Sequence, residues 1–191
     1  MKRMFLAVLL SAGTLASLPA ADFHITPRVD IMAGIQGAFL TPSIALTWQP
    51  GLVGAGAEVK VPIGLSLGDR YVEAMALLKL GWFDLGAGVS AMLVPPTGDT
   101  TDLTYPVSPG GLLFAARVGL TAPLLSLGPG KLGLDVSLDA FATETRLTQA
   151  PAPSSLGDLI GQIIVYPFVW LFDMALNSVK LSAGVSYTIG L

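Results

Sequence analysis

The chain has 191 residues, of which 12% are charged and 52% hydrophobic, with a formal net charge of −3 and no cysteine. The missing cysteine excludes disulfides, thiolate chemistry and acylation at an N-terminal Cys, and the acidic balance leaves no footprint for nucleic acid. Charge at half the usual share is unusual for a soluble secreted protein, yet no uncharged apolar run of about 18 residues follows the N-terminal segment, so a helical membrane bundle is not expected either.

Lys2 and Arg3 lead into an apolar stretch from Met4 to Leu18, followed by Pro19, Ala20 and Ala21. A basic start, a short apolar centre and a small-residue end mark a secretory signal peptide, expected over residues 1–21. An uncleaved anchor is the other reading, for which the run is short. Residues 22–191 are then enough for one domain.

Apolar residues in that domain alternate with small or polar ones, the period of a strand with two unlike faces. The first predicted strand runs from about Arg28 to Ala38, with Val29, Ile31, Ala33 and Ile35 opposed to Asp30, Met32, Gly34 and Gln36. A short connection near Leu40 to Pro42 leads to a second, about Ser43 to Gln49. Gln49-Pro50-Gly51 turns the chain into a third, about Leu52 to Ile63, with Glu58 and Lys60 on its polar face. The fourth, about Tyr71 to Trp82, carries Glu73 and Lys79; a tight turn at Trp82-Phe83 leads to the fifth, about Asp84 to Val94. Residues 95–111, rich in Pro, Thr, Asp and Gly, read as a loop. The sixth strand covers about Leu112 to Ala122 with Arg117 on its polar face, and the seventh about Leu132 to Thr143 with Asp135 and Asp139. The eighth, Ser178 to Leu191, alternates without a break and carries Lys180.

The predicted fold is therefore all-β: a membrane-spanning antiparallel up-and-down barrel, since only closure pairs every backbone group of strands in lipid. Eight strands of ten to twelve residues suit tilted transmembrane strands; ten strands is the alternative. With both termini on the periplasmic side, the connections near Pro50, Trp82 and Gly128 fall there and are short, while those at 64–70, 95–111 and 144–177 fall outside and are longer.

Charges separate the two faces. Arg28, Asp30, Glu58, Lys60, Glu73, Lys79, Asp84, Arg117, Asp135, Asp139 and Lys180 all fall on the small or polar face, and the remaining charges after Ala21 lie in loops, turns or the N-terminal lead. Arg or Lys facing lipid at mid-depth costs about 2–4 kcal/mol, so an apolar face free of charge is expected of a lipid-facing one. A soluble barrel would alternate too, but its polar face would carry many solvated Lys, Glu and Thr rather than Gly, Ser and Ala. Aromatic residues fit two interfacial girdles, Trp48, Trp82, Phe83 and Tyr187 at the periplasmic rim and Phe39, Tyr71 and Phe114 at the outer rim; ordinary strand propensity also accounts for them.

The segment 155–176 breaks the alternation. Ser155 with Asp158 resembles a capping box, and Leu159, Ile160, Ile163 and Ile164 follow helical spacing. Asp158, Gln162, Pro167 and Asp173 interrupt it as a spanning helix. A helix or helix pair in the last outer loop, against lipid headgroups or over the barrel mouth, is expected; an extra strand pair and a plug are the rivals.

No metal or cofactor site is expected. His24 is the only histidine, and it sits at the periplasmic side without a second His or clustered carboxylates. Gly54-Ala55-Gly56 and Gly86-Ala87-Gly88 lie in strands, as close-packing positions rather than phosphate loops. The eleven polar-face charges are the candidate working residues. They fit two roles: paired ions that fill and stiffen the interior, or a gated polar constriction built on Glu58, Lys60, Glu73 and Lys79.

In strand count, loop asymmetry and closing strand, the chain resembles the small eight-stranded outer-membrane proteins of Gram-negative-type bacteria, of the OmpW, OmpX and OmpA transmembrane-domain type. The resemblance implies insertion in the outer membrane, with its lipid and the barrel-assembly machinery as partners, the latter reading the C-terminal strand. Such strands typically end in an aromatic residue; here the end is Tyr187-Thr188-Ile189-Gly190-Leu191. Similar barrels that modify lipid use an outer-side His with a Ser and an acid, which His24 does not match, so no enzymatic activity is expected. OmpW-like barrels imply passage of small hydrophobic solutes. Two functions stand: a narrow channel or transporter for small solutes, and a non-transporting structural or adhesive surface protein acting through its outer loops.

Overall fold

The computed structural model describes residues 22–34, 37–66, 68–95, 97, 111–141 and 153–191; the expected signal peptide, 1–21, lies outside them. The strands are β1 (Phe23–Gly34), β2 (Gly37–Trp48), β3 (Val53–Lys60), β4 (Ile63–Gly64), β5 (Arg70–Leu80), β6 (Phe83–Val94), β7 (Leu112–Leu127), β8 (Gly130–Phe141) and β9 (Val179–Gly190), with one helix, α1 (Leu156–Ser178), before the last. Short β4 continues the row of β3 between β2 and β5. The sheet therefore has eight staves. All neighbours are antiparallel, and β1 pairs with both β2 and β9, so the sheet closes.

The register fixes the barrel's proportions. From His24, paired neighbours lead to Thr47, Gly56, Leu77, Gly86, Arg117, Asp139 and Lys180, and back onto β1 at Gly34, ten residues along. With standard strand rise and spacing, that stagger tilts the staves by roughly 40° and sets a backbone diameter of about 16 Å. Twelve-residue strands such as β1, β6 and β9 then rise about 30 Å along the axis.

Two-residue turns at Gly81-Trp82 and Gly128-Pro129 join neighbouring staves at one end, here the turn end. Each has a glycine in the left-handed region at its first position, Gly81 at φ 62° and Gly128 at φ 57°, as a type II′ hairpin requires. The long connections gather at the opposite, loop end.

The faces are inverted relative to a water-soluble barrel. Val29, Ile31, Ile44, Val59, Leu78, Leu85, Val89, Val118, Val136, Leu138 and Val185 point outward and are 41–58% exposed. Charged and hydroxyl side chains point in. The exposed charges on described strands, Arg70 and Lys131, sit at strand ends.

Several sequence expectations change. The first strand ends at Gly34 rather than Ala38, and β2 begins at Gly37, so Leu40 to Pro42 is not a connection. Pro42 sits in β2 opposite Val29 and its carbonyl accepts from the Val61 amide at 2.9 Å, so the ladder tolerates it. The predicted third strand is broken after Lys60, at Val61-Pro62. The sixth strand runs on to Leu127 through an irregularity between Pro123 and Leu125. Segment 155–176 is one helix with Pro167 inside it, neither a helix pair nor a strand pair.

Candidate functional site

The barrel interior is the site, and it is layered along the axis. At the turn end a cavity of about 590 Å³ opens between the hairpins. Thr26, Thr47, Thr121, Ser186 and Thr188 line its walls, and Arg28 and Lys79 reach it from deeper in the barrel. His24 is at this mouth, its Nδ1 3.2 Å from the Asp22 carbonyl. Thr26 and Thr188 hydroxyls meet across the seam between β1 and β9 at 3.1 Å.

Beneath the cavity lies a buried ion network. Arg28 reaches Glu58 at 3.3 Å, Asp84 at 3.2 Å and Asp135 at 3.6 Å. Arg117 faces Glu58 at 3.6 Å, Asp84 at 3.9 Å and Asp30 at 4.0 Å. Lys79 pairs with Asp84 at 3.2 Å. Two hydroxyls join the network, Ser43 donating to Glu58 at 3.0 Å and Thr121 to Asp135 at 2.5 Å. Two guanidiniums thus sit among four carboxylates on five different staves. At this depth a single unpaired charge costs several kcal/mol, which is why the ions occur as a network.

Small residues make room for it. A methyl group on Gly119 would run into the Asp84 carboxylate, and one on Gly184 would meet Asp30 and the Val29 carbonyl. These glycines are required by the ions that face them.

Toward the loop end a second group follows. Lys60 pairs with Asp139 and with Glu73 at 3.9 Å, and Ser137 donates to Asp139 at 2.6 Å. Lys180 donates to the Phe141 carbonyl at 3.0 Å and lies 4.3 Å from that residue's ring centre, a cation–π contact. Above it Phe39, Tyr71 and Phe141 form an edge-to-face triad with centroids 5.6–6.0 Å apart. Met32, Met75, Met92 and Ala115 complete this apolar layer.

All eleven candidate residues, Arg28, Asp30, Glu58, Lys60, Glu73, Lys79, Asp84, Arg117, Asp135, Asp139 and Lys180, are buried, and Lys79 is the most exposed of them at 7%. Arg28, Asp30, Glu58, Lys79, Asp84, Arg117 and Asp135 come together in the first group, and Lys60, Glu73 and Asp139 in the second, with Lys180 between that group and the triad. The grouping of Glu58, Lys60, Glu73 and Lys79 as one constriction is not what forms: Lys79 and Glu58 belong to the first group, Lys60 and Glu73 to the second.

Sequence reasoning missed two features. Asp69, read as a loop residue, is buried at 2% exposure. Phe39 and Tyr71, read as rim aromatics, point inward and are each 2% exposed, whereas Phe114 points outward at 69%. The available signal was phase: Tyr71 shares the parity of Glu73 and Lys79, and Phe141 that of Asp135 and Asp139.

Among the described residues no group of three or more His, Cys, Asp or Glu side chains is arranged to hold a metal ion. Chemically the interior offers hydrogen-bonding groups at the turn-end cavity, with one layer of fixed charge and one of packed rings beyond it. The class that the fold and its interior define is a closed eight-stave barrel with ions inside and aliphatic side chains outside. Comparison with known proteins gives no matching family model, no matching curated protein and no matching solved structure.

Proposed function

We propose that this chain is an integral barrel of a bacterial outer membrane, closed at rest, which serves as a non-transporting structural or surface protein displaying the connections at 95–111 and 144–177. One observation carries the reading: the outward side chains along the middle of every stave are aliphatic, while eleven ionisable groups are turned inward. Water would penalise so large a contiguous apolar surface, and hydrocarbon would not. The estimated 30 Å strand rise matches a hydrocarbon core of about 30 Å. On this reading the partners are outer-membrane lipid and the assembly machinery that receives β9, and no reaction is catalysed.

Heat-modifiable migration on a gel tests it, together with single cysteines at Val59, Val89 and Val185. Labels at those positions are expected to be quenched by lipid-borne quenchers and shielded from aqueous ones. A chain that stays soluble and monomeric without detergent defeats the reading.

The turn-end cavity favours a second reading, a gated passage for small solutes. It brings solvent as far as Lys79, which stands at the edge of the ion network. Planar-bilayer recording separates the two: the closed barrel is silent, whereas a gated passage gives brief steps that change in Lys79→Ala.

A further inference from the structure

The helix α1 stands outside the packing of the barrel. Its 23 residues span about 34 Å, twice the barrel's estimated diameter, so it cannot serve only as a lid over the mouth. Leu156, Leu159, Ile160, Ile163, Ile164 and Phe168 are 41–74% exposed. The helical period spreads these six over about half of the circumference and places Asp158, Gln162 and Tyr166, spaced by four, on the other half, where Val165, 53% exposed, and Val169 lie beside them.

Three further observations say what meets the apolar arc. No residue separates Ser178, the end of α1, from Val179, the start of β9. Val179 and Leu181, 48% and 57% exposed, begin the outward aliphatic band of the barrel, so the helix is pinned where that band ends. Finally, α1 contains no Lys or Arg.

We infer that α1 lies within the interfacial layer of the lipid leaflet that surrounds the loop end, apolar arc toward the acyl chains and the Asp158-Gln162-Tyr166 stripe toward water. This rests on the membrane reading of the barrel. Burial of apolar area drives the association, with no cationic attraction to anionic headgroups. The helix acts as a flange that fixes the depth of the loop-end rim.

The absence of cysteine allows single-cysteine labelling of the full chain at Ile160, Ile164, Gln162 and, as a barrel reference, Val89. Each variant carries an environment-sensitive fluorophore in phosphatidylcholine vesicles containing lipids with a shallow or a deep spin-label quencher. Labels at 160 and 164 are expected to be quenched about twofold or more better by the shallow probe than the deep one, the label at 162 mainly by aqueous iodide, and the label at 89 by the deep probe. If 160 and 164 are as open to iodide as 162 while 89 remains lipid-quenched, the flange is overturned and the barrel reading survives. If 89 is also open to iodide, the barrel reading itself fails. Shielding of 160 and 164 from every probe, lost when protein is diluted in lipid, identifies a second copy of the chain as the occupant and overturns the inference.

Discussion

Arg117 illustrates how much of this molecule depends on a few buried charges. Its guanidinium faces Glu58, Asp84 and Asp30, on three other staves. Arg117→Ala leaves those carboxylates facing one another without their cation. The expected loss is about 3–5 kcal/mol, read as a lower urea midpoint of the barrel refolded in detergent. An unchanged midpoint means that Arg28 alone can neutralise the cluster. Gly184 is the complementary case, because the ions restrict what can stand opposite them. Gly184→Val pushes a branched side chain against Asp30 and the Val29 carbonyl, and a destabilisation of about 1–3 kcal/mol is expected in the same titration.

Among the elements, α1 has its own start signal. The Ser155 hydroxyl accepts from the Asp158 amide at 3.1 Å, and the Ser154 hydroxyl donates to the Asp158 carboxylate. Hydrogen bonds from Ser154 and then Ser155 hold the Asp158 carboxyl below its ordinary value. A depressed folded-state value means that the cap stabilises the helix above the unfolded carboxylate's pKa, about 3.9, and that this contribution is lost as pH falls through the lower folded value. The far-UV circular dichroism difference between the wild-type chain and Asp158→Asn is therefore expected to be present at neutral pH and to vanish in strong acid. A difference that persists in acid removes the carboxylate from the cap. The strands carry a different local lesson. The alternation of β2 continues through Pro42, so the segment Leu40 to Pro42, expected as a connection, belongs to the ladder.

At the scale of the whole barrel, two packed layers lie in series along the axis. Phe39, Tyr71 and Phe141 pack across the loop end, and the Arg28–Arg117 network spans the middle. Opening one leaves the other. Phe39→Ala combined with Phe141→Ala is therefore expected to give no steady conductance in planar bilayers, because the ions below remain in place. Continuous steps from that double variant would show that the rings are the whole barrier and would favour the transport reading.

The linear order of residues by itself determined the alternation and the side to which each of the eleven charges turns, whereas eight and ten strands both fitted it until the pairings closed the sheet. Parity along a strand is a local property, and one buried face fixes it without knowledge of any partner. Segment 155–176 was also legible, since Ser155, Asp158 and the Leu159-to-Ile164 spacing are local signals. Tertiary structure alone decided which charges meet. Arg28 of β1, Glu58 of β3 and Asp84 of β6 are brought within ion-pair distance by closure and by a stagger of ten residues, and no local pattern encodes that stagger. The inward triad has the same cause. Phe39, Tyr71 and Phe141 lie on β2, β5 and β8, and they become neighbours only because a closed barrel about 16 Å wide turns its inward side chains toward a common axis.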